Sequence, residues 1–163
     1  MNNIILCGFM GSGKTVVGKE LSKIMGRRFI DTDEMIEKEQ GIAIKAIFAV
    51  RGEDYFRDLE HDVCKRVSQM RNCVISTGGG ALTFERNAKV LRKGGKIVFL
   101  DASFETICDR IGSNNNRPLF EDREKAKLLY DERKEKYLAA ADYVVDGDLS
   151  ARKAALDIAQ MFK

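Results

Sequence analysis

Short apolar runs alternate along this chain with longer stretches in which apolar residues recur every three or four positions. Asn3–Cys7 (NIILC) is a continuous apolar run, the mark of a strand covered on both faces. In Lys14–Met25, Val17, Leu21 and Ile24 fall on one helical stripe, and Gly26 follows as a C-cap. Arg28–Ile30 reads as a second strand. Asp33–Gln40 and Ala43–Val50 read as two helices divided by Gly41, and Glu53–Met70 as a third, with Phe56, Val63, Val67 and Met70 at helical spacing. Cys73–Thr77 (CVIST) is a third strand closed by Gly78-Gly79-Gly80. A helix near Glu85–Arg92, the strand Lys96–Leu100 and a helix from Ser103 to about Ile111 come next. A polar loop over Gly112–Asp122, a helix over Glu124–Ala140, a strand at Tyr143–Val145 and a final helix from Ser150 complete the series.

Alternation of this kind predicts an α/β fold, a five-stranded parallel sheet layered between helices, with ligands gathered at the carboxyl ends of the strands. The stretch from about 33 to 70 carries helices and no strand, so it reads as an inserted helical subdomain within one domain, 1–163. The loop at about 112–122 has the length and polarity of a lid.

Composition narrows the class. The chain has 163 residues and a net charge of +3, with 28 basic residues against 25 acidic ones. That balance, evenly mixed, argues against a nucleic-acid partner. No apolar run reaches the roughly 18 residues that cross a bilayer, and no basic, cleavable leader precedes the first strand. The expectation is a small soluble protein of the cytoplasm, with no membrane partner. Cys7, Cys64, Cys73 and Cys108 lack metal or redox spacing and read as small buried hydrophobes. His61, the single histidine, excludes a His-rich metal site and reads as a packing or surface residue of its helix.

The candidate chemistry lies where strands end. Gly8-Phe9-Met10-Gly11-Ser12-Gly13-Lys14-Thr15 fits G-x-x-x-x-G-K-[ST], placed after a buried strand and before an amphipathic helix. Such a loop wraps a phosphate with inward N–H groups, helped by the positive end of the helix. Lys14 can reach the outer phosphates and Thr15 can offer its hydroxyl to Mg²⁺. Asp31-Thr32-Asp33 ends the second strand on the same edge. One carboxylate suits a cation near the phosphates and the other suits a substrate hydroxyl, although Asp33 also fits the N-cap of the next helix. Asp101 is a lower-ranked cation candidate. The glycine triplet lets backbone approach a ligand and present its N–H groups. Arg57 flanks an apolar stripe, with Glu60 as an i,i+3 partner, and Arg133 falls on the stripe of Ala126, Leu129, Tyr130 and Tyr137. Two converging arginines would anchor a carboxylate. Arg117, central in the polar loop, could swing over a transferring phosphate.

Together GFMGSGKT (8–15), DTD (31–33), FR-x-x-E (56–60), GGG (78–80), RP-L (117–119) and YDERKEKY (130–137) resemble the shikimate kinase family. The resemblance covers nearly the whole chain in order. It implies a three-layer P-loop kinase fold and ATP-dependent phosphorylation of the 3-hydroxyl of shikimate, on the way to chorismate and the aromatic amino acids. It places the nucleotide on Gly11, Ser12, Gly13, Lys14, Thr15 and Val16, with Arg110 on adenine and Arg117 as the lid arginine. It places Mg²⁺ on Thr15 and, through water, on Asp31. Asp33, Arg57, Gly78, Gly79, Gly80 and Arg133 bind shikimate, with Lys14, Asp33 and Arg117 catalytic. The expected protein is a monomer. Where relatives often carry a proline beside adenine, this chain has Gly147-Asp148-Leu149-Ser150-Ala151-Arg152. A gluconate-type kinase and a non-catalytic ATP-binding module are the competing readings.

Overall fold

The structure is a computed structural model and describes residues 2–112 and 122–163. The chain runs β1 (Asn3–Cys7), α1 (Lys14–Met25), β2 (Arg28–Asp31), α2 (Thr32–Gln40), α3 (Ile44–Arg51), α4 (Glu53–Ser68) and β3 (Cys73–Ser76). A 3₁₀ turn (Ala81–Thr83) leads into α5 (Glu85–Gly94), β4 (Gly95–Asp101), α6 (Phe104–Ile111), α7 (Arg123–Ala140), β5 (Tyr143–Asp146) and α8 (Ala151–Met161). Five parallel strands form one sheet in the order β2-β3-β1-β4-β5.

The first strand is central, which explains its unbroken apolar sequence. All five of its residues are buried, and its side chains alternate between two cores. Ile4 and Leu6 join Val17 and Leu21 of α1 and Ala155 and Ile158 of α8 on one face. Ile5 and Cys7 join Val63, Leu91 and Tyr137, from α4, α5 and α7, on the other. The expected layering of helix, sheet and helix is therefore observed. Helix α1 lies so close to β2 that a Cβ on Gly18 would sit 2.5 Å from the Phe29 ring. Two stripe assignments shift. Ile24 is 37% exposed while Gly18 takes its place facing the sheet, and Met70 lies beyond the end of α4.

Asn3 has no exposed surface, and its amide is fully used. Nδ2 donates to the Val67 and Met70 carbonyls and Oδ1 accepts from the Cys73 N–H, joining the end of α4 to the start of β3. The cysteine reading holds for three of the four. Cys7, Cys64 and Cys73 are buried, and burial pushes the Cys7 and Cys64 thiols up to about 12. Cys108 is half-buried. His61 bonds through Nδ1 to Asn87 at 2.8 Å, the packing role expected of it. Among the described residues, no helix is long and apolar enough to cross a membrane.

Candidate active site

The loop after β1 reaches α1 through two glycines with left-handed backbone, Gly11 (φ 81°) and Gly13 (φ 96°), conformations a side chain would strain. Gly13 is the N-cap of α1, with no side-chain cap and no acidic residue in the first turn. The leading N–H groups of the helix are thus left for an anion. The Lys14 amine arches back over the loop, donating to the carbonyls of Gly8 (2.5 Å) and Phe9 (3.2 Å).

This helix end forms one wall of a cleft of about 440 Å³. Lys14, Thr15 and Val16 line it, together with Asp31, Asp33 and Arg110. Parallel pairing brings them together. Asp31 is in register with Ser76 of β3, so the strand ends share one edge of the sheet. Asp31, not Asp33, caps α2. Its Oδ1 accepts from the N–H groups of Asp33 (2.9 Å) and Glu34 (3.1 Å). The cap reading of Asp33 is thereby corrected, because Asp33 lies inside the first turn. Its buried Oδ1 has no hydrogen-bond partner among the described residues. Burial raises its carboxyl to about 6. Asp31 and Glu37 add to the rise, and Lys14 and Arg57 oppose it.

The glycine triplet separates this carboxylate from the two arginines. None of the three glycines is left-handed. The Gly78 N–H donates to Thr32 Oγ1 at 3.3 Å, and Gly78 lines the cleft. Gly79 accepts the Tyr137 hydroxyl. Arg133 approaches Gly79 and stands 5.9 Å from the Phe9 ring centre. The Arg57 guanidinium lies against Gly80 and 5.1–5.8 Å from the ring centres of Phe48, Phe56 and Phe84.

Arg57 also makes the anticipated ion pair with Glu60, at 3.0 Å. The surroundings make that pair unusual, because Glu60 is only 1% exposed. Burial raises its carboxyl above the usual range, and Arg57 opposes the rise. Sequence reasoning left Glu60 out of the site. The signal was present, since Glu60 falls between Phe56 and Val63 on the buried stripe of α4, as Arg133 does on α7.

At the nucleotide end, Arg110 donates to the carbonyls of Ser12 (2.9 Å), Gly147 (2.7 Å) and Leu149 (3.3 Å). It fastens the P-loop to the segment before α8. Arg152 instead pairs with Glu20 at 3.6 Å. Asp101 faces Lys134 at 3.5 Å and does not line the cleft, in keeping with its lower rank. Arg117 and most of the lid loop lie outside the described residues.

A phosphate-binding loop on the central strand of a parallel sheet, sharing its cleft with carboxylates at the end of a strand two places away, defines a P-loop kinase. Comparison with known proteins narrows the class. The family model for shikimate kinase matches residues 10–163. The chain is 46% identical to the shikimate kinase of Moorella thermoacetica over 149 residues, 90% of this chain and 85% of that one. It is 42% identical to that of Helicobacter hepaticus over 161 residues, 97% and 94% of the two chains. Its structure is similar to a shikimate kinase from Acinetobacter baumannii in complex with shikimate. That match has a TM-score of 0.92 at 35% identity and covers 99% of this chain and 93% of the other. The chain belongs to the shikimate kinase family.

Proposed function

We propose that this protein transfers the γ-phosphoryl group of ATP to the 3-hydroxyl of shikimate, a step towards chorismate and the aromatic amino acids. The observation that carries the reading is one row of glycines with Asp33, Arg133 and Arg57 beside it, next to a P-loop cleft. An acceptor bearing both hydroxyls and a carboxylate suits that row. Arg57 and Arg133 would hold the carboxylate and Asp33 a hydroxyl.

The roles follow from chemistry and position. Backbone N–H groups from Gly11 to Val16 and the Lys14 amine would hold the phosphates. Arg110 would stack on adenine, and Arg117 would add charge over the transferring group. Asp33 would orient the acceptor hydroxyl and take its proton. A carboxyl near 6 is mostly ionised at neutral pH and still basic enough for that task. The hydroxyl oxygen then attacks phosphorus in line and ADP leaves, with no covalent enzyme intermediate.

The donors present suit Mg²⁺ held jointly with phosphates. Among the described residues no cluster of three or more His, Cys, Asp or Glu could cage a metal alone. Thr15 and Asp31 line the cleft, and among the described residues the capping N–H groups reach Oδ1 of Asp31 and leave Oδ2 aside. Held by Thr15 and, through water, by Asp31, Mg²⁺ would supply positive charge to offset that developing on the phosphates. Helices α2–α4 would serve as the acceptor subdomain and residues 112–122 as the lid of a single domain. The reading is of a monomer working in the cytoplasm.

A coupled ADP-release assay with shikimate and with gluconate tests this. Shikimate-dependent turnover supports the reading. Preference for gluconate, or ATP binding without turnover, refutes it.

A further inference from the structure

A Cβ built on each glycine of the triplet meets a different charged group. At Gly78 it would lie 2.4 Å from Asp33 Oδ1, 2.7 Å from Oδ2 and 2.8 Å from Cγ. At Gly80 it would lie 2.6, 2.7 and 2.9 Å from the two terminal nitrogens and central carbon of Arg57. At Gly79 the nearest atom is an Arg133 terminal nitrogen, at 3.3 Å. We propose that Gly78, Gly79 and Gly80 are positioning residues, each omitting a side chain so that Asp33, Arg133 and Arg57 respectively can occupy its place.

Two simpler explanations of the triplet fail. Backbone freedom is not needed, since none of the three has a left-handed φ, and Gly80 has φ −94° and ψ −11°, open to any residue. Backbone N–H donation does not require glycine either, because alanine carries the same N–H. What alanine adds is a methyl, and the site has no room for it at two of the three positions. At Gly78 the clash includes Cγ, so turning the carboxylate about its own axis does not relieve it. At Gly80 the guanidinium is confined by its pair with Glu60 and by three rings. At Gly79 one flexible arm need yield only a few tenths of an ångström.

The inference rests on the acceptor-site reading and sets an order of sensitivity along the row. In G78A the displaced Asp33 lowers kcat by about a hundredfold, the usual cost of moving a reacting group by roughly 1 Å. In G80A the loss appears mainly as a rise of about tenfold or more in the KM for shikimate, the pattern of a lost binding contact. G79A loses less than either, and the KM for ATP stays near wild type in all three. If G80A proves unstable, R57A/G80A regains the melting temperature of R57A, because removing the guanidinium frees the space. The double variant also binds shikimate no more weakly than R57A.

Wild-type kinetics in G78A or G80A overturn the inference, as does G79A being the most damaged, or losses that multiply in R57A/G80A. Absence of shikimate turnover in the wild-type enzyme overturns the acceptor-site reading itself, so the two failures are distinguishable.

Discussion

Replacing Asp33 with asparagine should kill activity and stabilise the fold at the same time. Burial next to Asp31 holds this carboxyl near 6, against 3.8 for a free one. In the folded state the proton is therefore released later than in the unfolded chain. The resulting penalty is absent below about pH 4, grows as pH rises and is complete a little above pH 6. A rise of roughly two units corresponds to about 3 kcal/mol, the net after Lys14 and Arg57 have pulled the other way. Asparagine keeps the shape and carries no charge, so it recovers that energy. In a domain of this size 1 kcal/mol moves the melting temperature by about 2–4 °C, which sets a ceiling of about 6–12 °C. Thermal melts at pH 8 should show D33N above wild type, and the gap should close towards pH 4. Turnover of D33N should fall by at least about a hundredfold. A D33N that melts no higher than wild type at pH 8, or a gap indifferent to pH, refutes the account of Asp33 as a strained buried charge.

Arg57→Ala should raise the KM for shikimate by about tenfold or more and also lower the melting temperature, because a buried acid left alone costs about 3 kcal/mol. R57A/E60Q should regain stability without regaining KM, measured by melts and initial rates. Recovery of both would show that Arg57 acts only through Glu60. Asp31→Asn keeps a capping oxygen but removes the negative neighbour of Asp33, so the ascending limb of kcat/KM, expected near pH 6, should move to lower pH. An unmoved limb would mean that another group sets it. Arg110→Ala cuts the three hydrogen bonds that tie Ser12 to Gly147 and Leu149. The KM for ATP should rise about tenfold while that for shikimate holds, and equal rises in both would contradict a nucleotide-side role.

Much of this arrangement could be read from the chain because its signals are local. Continuous apolar runs marked the strands, and each glycine cluster followed one of them. The P-loop needed only its spacing and its place between β1 and α1. Asp31 and Asp33 were harder to tell apart. The sequence offered Asp33 as the cap, and the extended backbone at Asp31 (φ −109°, ψ 119°) moves that role two residues earlier. Glu60 escaped because a glutamate three residues from an arginine normally makes a surface pair. Its burial depends on α4 packing against other helices, which no local pattern reports. The triplet was read as a backbone feature, whereas its neighbours are side chains from α2, α4 and α7. Those neighbours lie more than 20 residues away in the sequence, beyond any motif window.

The central place of β1 bears on how the protein is made. This strand leaves the ribosome ahead of its sheet partners, pairing with β3 about 70 residues later and with β4 about 90 residues later. Asn3 can leave water without losing its hydrogen bonds only once the end of α4 and Cys73 arrive. Non-local pairing of this kind pays its loop entropy before any contact forms. The phosphate loop hangs from that strand, so a nascent chain lacking β4 has no fixed cradle. Grip on a nucleotide therefore reports that the sheet has closed on both sides of β1.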